Sequence, residues 1–190
     1  MPKVLDANEL AAELTKRVEE LVDNGKASPV ILIDGRAASG KSTLAATLQN
    51  SLFKSLEVAP RLVHMDDLYD GWTGLQAGSD YLVRSVLSPR ARGEVANWQE
   101  YDWALARRDR WREFAGGTPL IVEGCGALSR ASSELADLRV WLEVELSIRQ
   151  ERWLQREGHK FDEQWPVWAA QEVEFYGREK SNELADFIGD

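Results

Sequence analysis

The stretch VILIDGRAASGKSTLAATLQNSL, Val30 to Leu52, decides how this chain folds. It opens with four aliphatic residues, three of them β-branched, and then Asp34, preceded by Pro29: a short strand able to bury both faces. Gly35, Gly40, Lys41 and Ser42 then satisfy G-x-x-x-x-G-K-[ST], and Thr43 to Leu56 has the composition and apolar spacing of a helix. Strand, glycine loop, Lys-Ser and helix in this order are the context the motif requires. Glycine permits a tight backbone path, consecutive amides can turn inward as an anion nest, and the helix N-terminus adds a favourable field. Gly35, Arg36, Ala37, Ala38, Ser39, Gly40, Lys41, Ser42 and Thr43 are therefore expected to cradle the phosphates of ATP. Lys41 would contact the β and γ phosphates, and the Ser42 hydroxyl would ligate Mg2+. A chance glycine turn is the alternative, and it leaves the agreement of these signals unexplained.

Outward from the loop, Leu10, Leu14, Val18, Leu21 and Val22 mark an amphipathic helix over residues 7–23, ended by Asn24-Gly25. RLVHM (Arg61 to Met65), Leu120 to Glu123 and Leu138 to Val144 read as further strands, and residues 147–157 and 163–180 as helices. ADFI is a last short apolar run. Residues 70–117 are irregular, with YLVRSVL read as a short helix and YDWALARRDRWREF, Tyr101 to Phe114, read as helical. Strands separated by helical connections indicate a three-layer α/β/α arrangement, a parallel sheet with active-site loops at its strand ends. We expect one domain over residues 1–190, with an N-terminal helix and linker at 1–28 and a lid at 145–165.

Composition narrows the function. A formal net charge of -9, from 23 basic and 32 acidic residues, argues against a role dominated by nucleic-acid binding. Cys125 is the only thiol, which excludes an intrachain disulfide and a zinc site built mainly from cysteine. No run approaches the roughly 18 apolar residues of a membrane span, so a soluble, cytoplasmic protein without a membrane partner is expected. The phosphate loop alone does not separate a kinase from a GTP switch or an ATPase motor. A GTPase would carry a guanine-reading N-K-x-D segment, and the chain has none.

The acceptor side is read from HMDDLYDGW, His64 to Trp72. A carboxylate leaving a strand beside the phosphate loop can orient a hydroxyl against the γ phosphate and take its proton. Asp66 is first choice for that base; Asp67 can cap the next turn or reach magnesium through water, and both acids can also be simple caps. Tyr69 and Trp72 form either an aromatic wall for a base or sugar or ordinary packing, since the chain has 8 tryptophans. Glu123 ends its strand near the same sheet edge; it either holds magnesium through water or pairs with Lys41 or an arginine. Arg149, Arg152 and Arg156 share a helical face, as a lid stabilising the transferring phosphoryl group or as a solvated face balanced by Glu145, Glu151 and Glu157.

Together, GRAASGKST, HMDDLY, LIVEG, the arginine helix and ADFI resemble the uridine kinase and phosphoribulokinase branch of the P-loop kinases over most of residues 29–190. The resemblance implies the P-loop nucleoside triphosphate hydrolase fold with a five-stranded parallel sheet, ADFI being the fifth strand and Gly189 bordering the adenine site. It implies Asp66 as catalytic base, matching the Asp of the D-S-F-Y segment of uridine kinases, Glu123 as the acidic third-strand end, and Arg149, Arg152 and Arg156 as lid arginines. The family's F-D-H-P segment has only the partial match Tyr101-Asp102 within NWQEYDWAL, so uridine itself need not be the acceptor. Asp102 would bind a sugar diol, while Trp98 or Trp103 would stack on a ring or pack. The implied activity is ATP- and Mg2+-dependent phosphorylation of a small molecule, a nucleoside first and a nucleotide or sugar next. A nucleoside monophosphate acceptor would need a second anion site, for which Arg84 or Arg90 are the candidates. The rival from another class is a non-catalytic ATP-binding regulator, which needs the loop and no Asp66.

Overall fold

The computed structural model describes residues 3–190, with Ala7 and Asn8 described by backbone alone; Met1 and Pro2 of the expected N-terminal segment lie outside the described residues. The chain runs through β1 (Lys3–Leu5), α1 (Ala7–Asp23), β2 (Val30–Gly35), α2 (Lys41–Leu56), β3 (Arg61–His64), α3 (Leu75–Leu82) and α4 (Ser88–Ala91). It continues through β4 (Ala96–Asp102), β5 (Arg107–Phe114), β6 (Leu120–Glu123), α5 (Arg130–Ser133), β7 (Leu138–Leu142), α6 (Leu146–Glu157), α7 (Gln164–Glu179), α8 (Ser181–Leu184) and β8 (Phe187–Gly189).

Six strands form one parallel sheet in the order β1-β8-β7-β2-β6-β3. The expected count of five is corrected to six by β1, whose Lys3, Val4 and Leu5 pair with Phe187, Ile188 and Gly189. Three residues are too few to display a strand period, and Val4 is 63% exposed, so only the distant β8 ladder reveals this strand. β2 lies inside the sheet with its two neighbours, β7 and β6, reached by connections in opposite directions. The crevice at its carboxyl end is thus a switch point of the topology, where open α/β sheets bind ligands.

The period of two along β2 divides the core. Ile31 and Ile33 join Leu10, Leu14, Leu44 and Leu48 under α1 and α2, while Val30 and Leu32 pack with Val122, Trp141, Trp168 and Phe175 on the other face. Burying each of the Val, Leu, Ile and Phe side chains among these contributes about 1.5–3 kcal/mol. The same alternation sends Asp34 toward α7, and it sends Glu123 and His64, which are register partners on β6 and β3, toward the start of α2.

The helix expected over residues 101–114 is a correction: β4 and β5 form an antiparallel hairpin with its own ladder. Four arginines and scattered apolar residues imitate a helical period there. Tertiary contact overrides it, because Trp98 on β4 is only 2% exposed and lies under the Arg61 guanidinium, 5.5 Å from the ring centre. The turn is fixed by Asp102, whose Oδ1 accepts from the amides of Ala104 and Leu105, both at 2.9 Å. The short helix expected at YLVRSVL is present as the end of α3 and a π-turn over Val83–Leu87. The Ser88 amide donates there to the Val83 carbonyl, next to Pro89, which has no amide to continue an α-helical ladder.

Candidate active site

The phosphate loop leaves β2 through Gly35 and enters α2 after Gly40. Gly35 has φ +151°, and a Cβ there would stand 2.6 Å from the Leu142 carbonyl oxygen and 2.8 Å from Ser39 Oγ. Ala38 accepts φ +63°, a left-handed conformation costing a non-glycine residue about 1–3 kcal/mol. Gly40, at φ +101°, offers no side-chain cap to α2, so the first amides of that helix have no intrachain side-chain partner at the cap and are available to an anion. Ala37, Ala38, Gly40, Lys41, Ser42 and Thr43 line a cleft of about 760 Å³; Gly35, Arg36 and Ser39 form the back of the loop.

Lys41 is 7% exposed, and its Nζ donates to the Arg36 carbonyl at 2.9 Å with Ser39 Oγ at 3.5 Å. Burial opposes its charge, but the groups around it, Cys125 first and then the carboxylates of Glu123, Asp34 and Glu172, together raise its pKa above the ordinary lysine value. Across the cleft floor Ser42 Oγ donates to Glu123 Oε1 at 3.1 Å, and His64 Nδ1 lies 2.6 Å from the same oxygen. That hydrogen bond raises the His64 pKa against the opposing effect of partial burial. Glu123 therefore takes neither Lys41 nor an arginine as its hydrogen-bonding partner: it shares one oxygen between Ser42 and His64. Among the described residues no three His, Cys, Asp or Glu side chains converge to hold a metal by themselves. The Ser42 hydroxyl and the Glu123 carboxylate are oxygen ligands of the kind that suits a nucleotide-bound magnesium ion, and they are the two groups of this chain that would hold one here.

Asp66 sits in the single turn Met65–Asp67 that follows β3 and lines the cleft; Asp67 does not. The Asp66 side chain meets cleft solvent, yet it is enclosed by the cleft walls. This restricted solvation, with the Glu123 charge adding to it, raises its carboxyl pKa, while Lys41, Arg156 and His64 pull it down. The tip of the hairpin reaches it, since Trp103 Nε1 donates to the Asp66 carbonyl at 2.9 Å.

Aromatic rings build the wall beyond Asp66. Trp72 lies 5.1 Å from Trp103, 5.0 Å from Phe161, 6.3 Å from Trp153 and 6.4 Å from Trp168, measured between ring centres, and all five rings border the cleft. Tyr69 also borders it but is 1% exposed, with its hydroxyl donating to the Cys125 carbonyl at 2.7 Å and its ring edge-on to Trp168. Tyr101 packs edge-on to Trp103, and the Asp102 carboxylate is engaged in the hairpin turn; neither lines the cleft.

The three arginines of α6 have three different positions. Arg149 is buried and ties the end of β7 to the loop, donating to the carbonyls of Val144 at 3.0 Å and Ala37 at 3.3 Å. Arg152 lines the cleft and donates to the Ser39 carbonyl at 3.4 Å; Arg156 lines it too, stacked 5.4 Å from the Trp153 ring centre and paired with Glu157. Gly189 is inside the sheet, where an added Cβ would meet Leu10 and Leu142 at 2.6 Å, and it does not border the cleft. Arg84 lies over the Tyr81 ring and Arg90 donates to Ser28, both outside the cleft.

Several residues at the site are not visible in the sequence pattern. Asp34, fully buried, receives Tyr176 Oη at 2.7 Å and the amides of Gly35, Gly126 and Leu128; burial raises its carboxyl to about 6 against the pull of those bonds. Glu172 of α7 is 1% exposed and accepts from the Ala37 amide at 2.5 Å. Trp153, Lys160 and Phe161 also carry no motif, and His64 opens HMDDLY without a role of its own being read from it. The one signal available for Glu172 and Tyr176 is their spacing of four on a helix whose neighbouring positions Trp168 and Phe175 are apolar.

The strand order, the glycine loop at the switch point and the Lys41–Ser42–Glu123 cluster define a P-loop α/β protein. Solved structures place the fold within that class. No protein-family model and no curated protein matches the chain. The chain is similar to a possible uridine kinase from Bacillus stearothermophilus, with TM-score 0.63 and 18% identity, over 94% of this chain and 100% of that one. It is similar to the YGR205w protein, with TM-score 0.63 and 13% identity, over 96% and 93%. It is also similar to a D-glycerate 3-kinase from Cryptococcus neoformans var. grubii serotype A, with TM-score 0.56 and 13% identity, over 94% and 87%. At these identities the likeness shows the fold alone: a three-layer α/β/α arrangement around a parallel sheet, shared with these structures over nearly the whole chain. Among the described residues no helix is long and apolar enough to cross a membrane.

Proposed function

We propose that this chain is a kinase that moves the γ-phosphoryl group of ATP to a hydroxyl of a small molecule, with nucleosides the first acceptors to test. The observation that carries the reading is the shared cleft: the phosphate loop with Lys41, the aromatic rings and the Asp66 carboxylate all line one cavity. A regulator that only binds ATP has no use for the last two. The amides of the loop and Lys41 would bind and orient the donor phosphates, and Arg152 and Arg156 would face the charge that spreads over the phosphoryl oxygens. Magnesium, held by Ser42 and through water by Glu123, would neutralise part of that charge. Asp66 would accept the proton of the acceptor hydroxyl as its oxygen bonds to phosphorus and ADP leaves. Its raised pKa brings it toward the range in which a carboxylate is an effective base.

The walls support an acceptor with a flat or apolar ring face, since Trp72 and Trp103 offer π surfaces beside Asp66. Arg84 and Arg90 lie outside the cleft, so a phosphorylated acceptor would have to find its anion site among the cleft cations Arg152, Arg156 and Lys160. Phosphorus NMR of ATP with panels of nucleosides, sugars and nucleotides tests the proposal, with a new phosphoester the expected signal. Asp66→Asn should lower turnover about 10²–10⁴-fold while leaving nucleotide affinity near the parent value. ADP release indifferent to every acceptor, or full turnover in Asp66→Asn, would refute it.

A further inference from the structure

We infer that Glu172 is a positioning residue for the phosphate loop, fixing the Arg36–Ala37 peptide plane and, through it, the ammonium group of Lys41. The inference rests on the loop being a nucleotide cradle. A trans peptide directs its C=O and N–H to opposite sides. In this unit the Arg36 carbonyl accepts from Lys41 Nζ at 2.9 Å, while the Ala37 amide donates to Glu172 Oε1 at 2.5 Å. One peptide is therefore gripped from both sides, by a cation in the cleft and by a carboxylate under it. Reversing the plane would aim an N–H at the ammonium and a carbonyl at the carboxylate, so both contacts would become repulsive.

Glu172 is placed for this by α7, far away in sequence. Its other oxygen faces Arg36 Nη1 at 3.5 Å, and Cys125 Sγ lies 3.4 Å from Oε1. The pairing with Arg36 matters to an anion-binding loop, because an uncompensated carboxylate at 1% exposure would repel phosphate bound a few ångströms away. One helical turn on, Tyr176 Oη donates to Asp34 Oδ1 at 2.7 Å and lies 3.3 Å from the Gly35 carbonyl oxygen. Two side chains spaced by four on α7 thus hold the strand end and the first turn of the loop together. An apolar residue at 172 would fill the space without burying a charge. What the carboxylate adds is a single orientation of the peptide, with the Ala37 amide turned away from the cleft and the later amides left for phosphate. When a triphosphate enters, Lys41 can exchange the Arg36 carbonyl for phosphate oxygens without the loop rearranging.

Binding of Mg2+ and the non-hydrolysable ATP analogue AMP-PNP, followed by calorimetry, tests this on the full chain with Lys41→Ala as control. Glu172→Leu, confirmed folded by circular dichroism, should bind the analogue at least about tenfold more weakly, because the loop amide loses a charged partner. Glu172→Gln keeps an acceptor oxygen and should stay within about threefold of the parent. The KM for the acceptor should be unchanged in both, a split that general loosening of the core would not produce. A folded Glu172→Leu that binds like the parent, or Glu172→Gln as weak as Glu172→Leu, would overturn the inference. If Glu172→Leu does not fold, amide exchange in the parent protein decides: the Ala37 resonance should be shifted downfield and protected, and exchange at solvent rates would overturn the inference. If the parent binds no AMP-PNP, the reading of the loop fails, while the Ala37 resonance still judges the role of Glu172.

Discussion

Gly35→Ala is expected to destabilise the chain through two separable effects, and a second glycine provides the means to separate them. The first is conformational: at φ +151° an alanine is strained, at about 1–2 kcal/mol for left-handed backbone. The second is steric. The new methyl group would lie 2.6 Å from the Leu142 carbonyl oxygen, 2.8 Å from Ser39 Oγ and 3.2 Å from Leu142 Cβ. Gly35 and Leu142 are register partners on β2 and β7, so relief requires the two strands to part where the loop begins. Overpacking of this kind costs about 1–3 kcal/mol, giving a total of about 2–5 kcal/mol. Gly25 has φ +90°, and a methyl group added there would meet nothing within 4 Å, so Gly25→Ala carries the conformational effect alone, about 1–2 kcal/mol. Urea unfolding of the three proteins, compared by midpoint at equal slope, gives both values. Equal losses in Gly25→Ala and Gly35→Ala would refute the steric argument.

Two further outcomes follow from the site. The folded-state pKa of Asp66 is raised, so the native chain holds that proton more tightly than the unfolded chain and loses stability as pH rises through the folded value. Asp66→Asn should therefore raise the urea midpoint at pH 7, with the gain shrinking as pH falls from the raised folded value to the ordinary aspartate value and gone below it; a gain that grows on acidification would contradict the shift. Trp103→Ala should weaken the acceptor KM several-fold, about as expected for one lost ring contact and one hydrogen bond, with AMP-PNP affinity unchanged. A loss confined to the nucleotide would move the acceptor to another wall.

The centre of the fold is legible because its signals are local. In β2, the glycine loop and α2, strand pattern, turn residues and helix propensity lie within one window and agree. β1 is not legible because three residues carry no period, and the hairpin is hidden because its stability comes from Trp98 meeting Arg61 across the fold. The candidate site divides in the same way. Lys41, Ser42, Asp66 and Glu123 stand on strand ends or in the motif, whereas the contact of His64 with Glu123 depends on the pairing register of β3 with β6. In the sequence Glu172 and Tyr176 look like ordinary members of a helix; only the placement of α7 under the loop distinguishes them.

The β4–β5 hairpin shares no ladder with the six-stranded sheet, and its turn is closed by its own Asp102. The hairpin's base is anchored in the core by Ala96, Trp98 and Phe114, but residues 103–106 lie outside both strands, so that turn can be exchanged, lengthened or shortened while β3, β6 and β2 keep their register. On the proposed reading, the tip that touches Asp66 is therefore free to diversify, and a lineage could change its acceptor by rewriting one turn while the phosphate loop and its supports stay as they are.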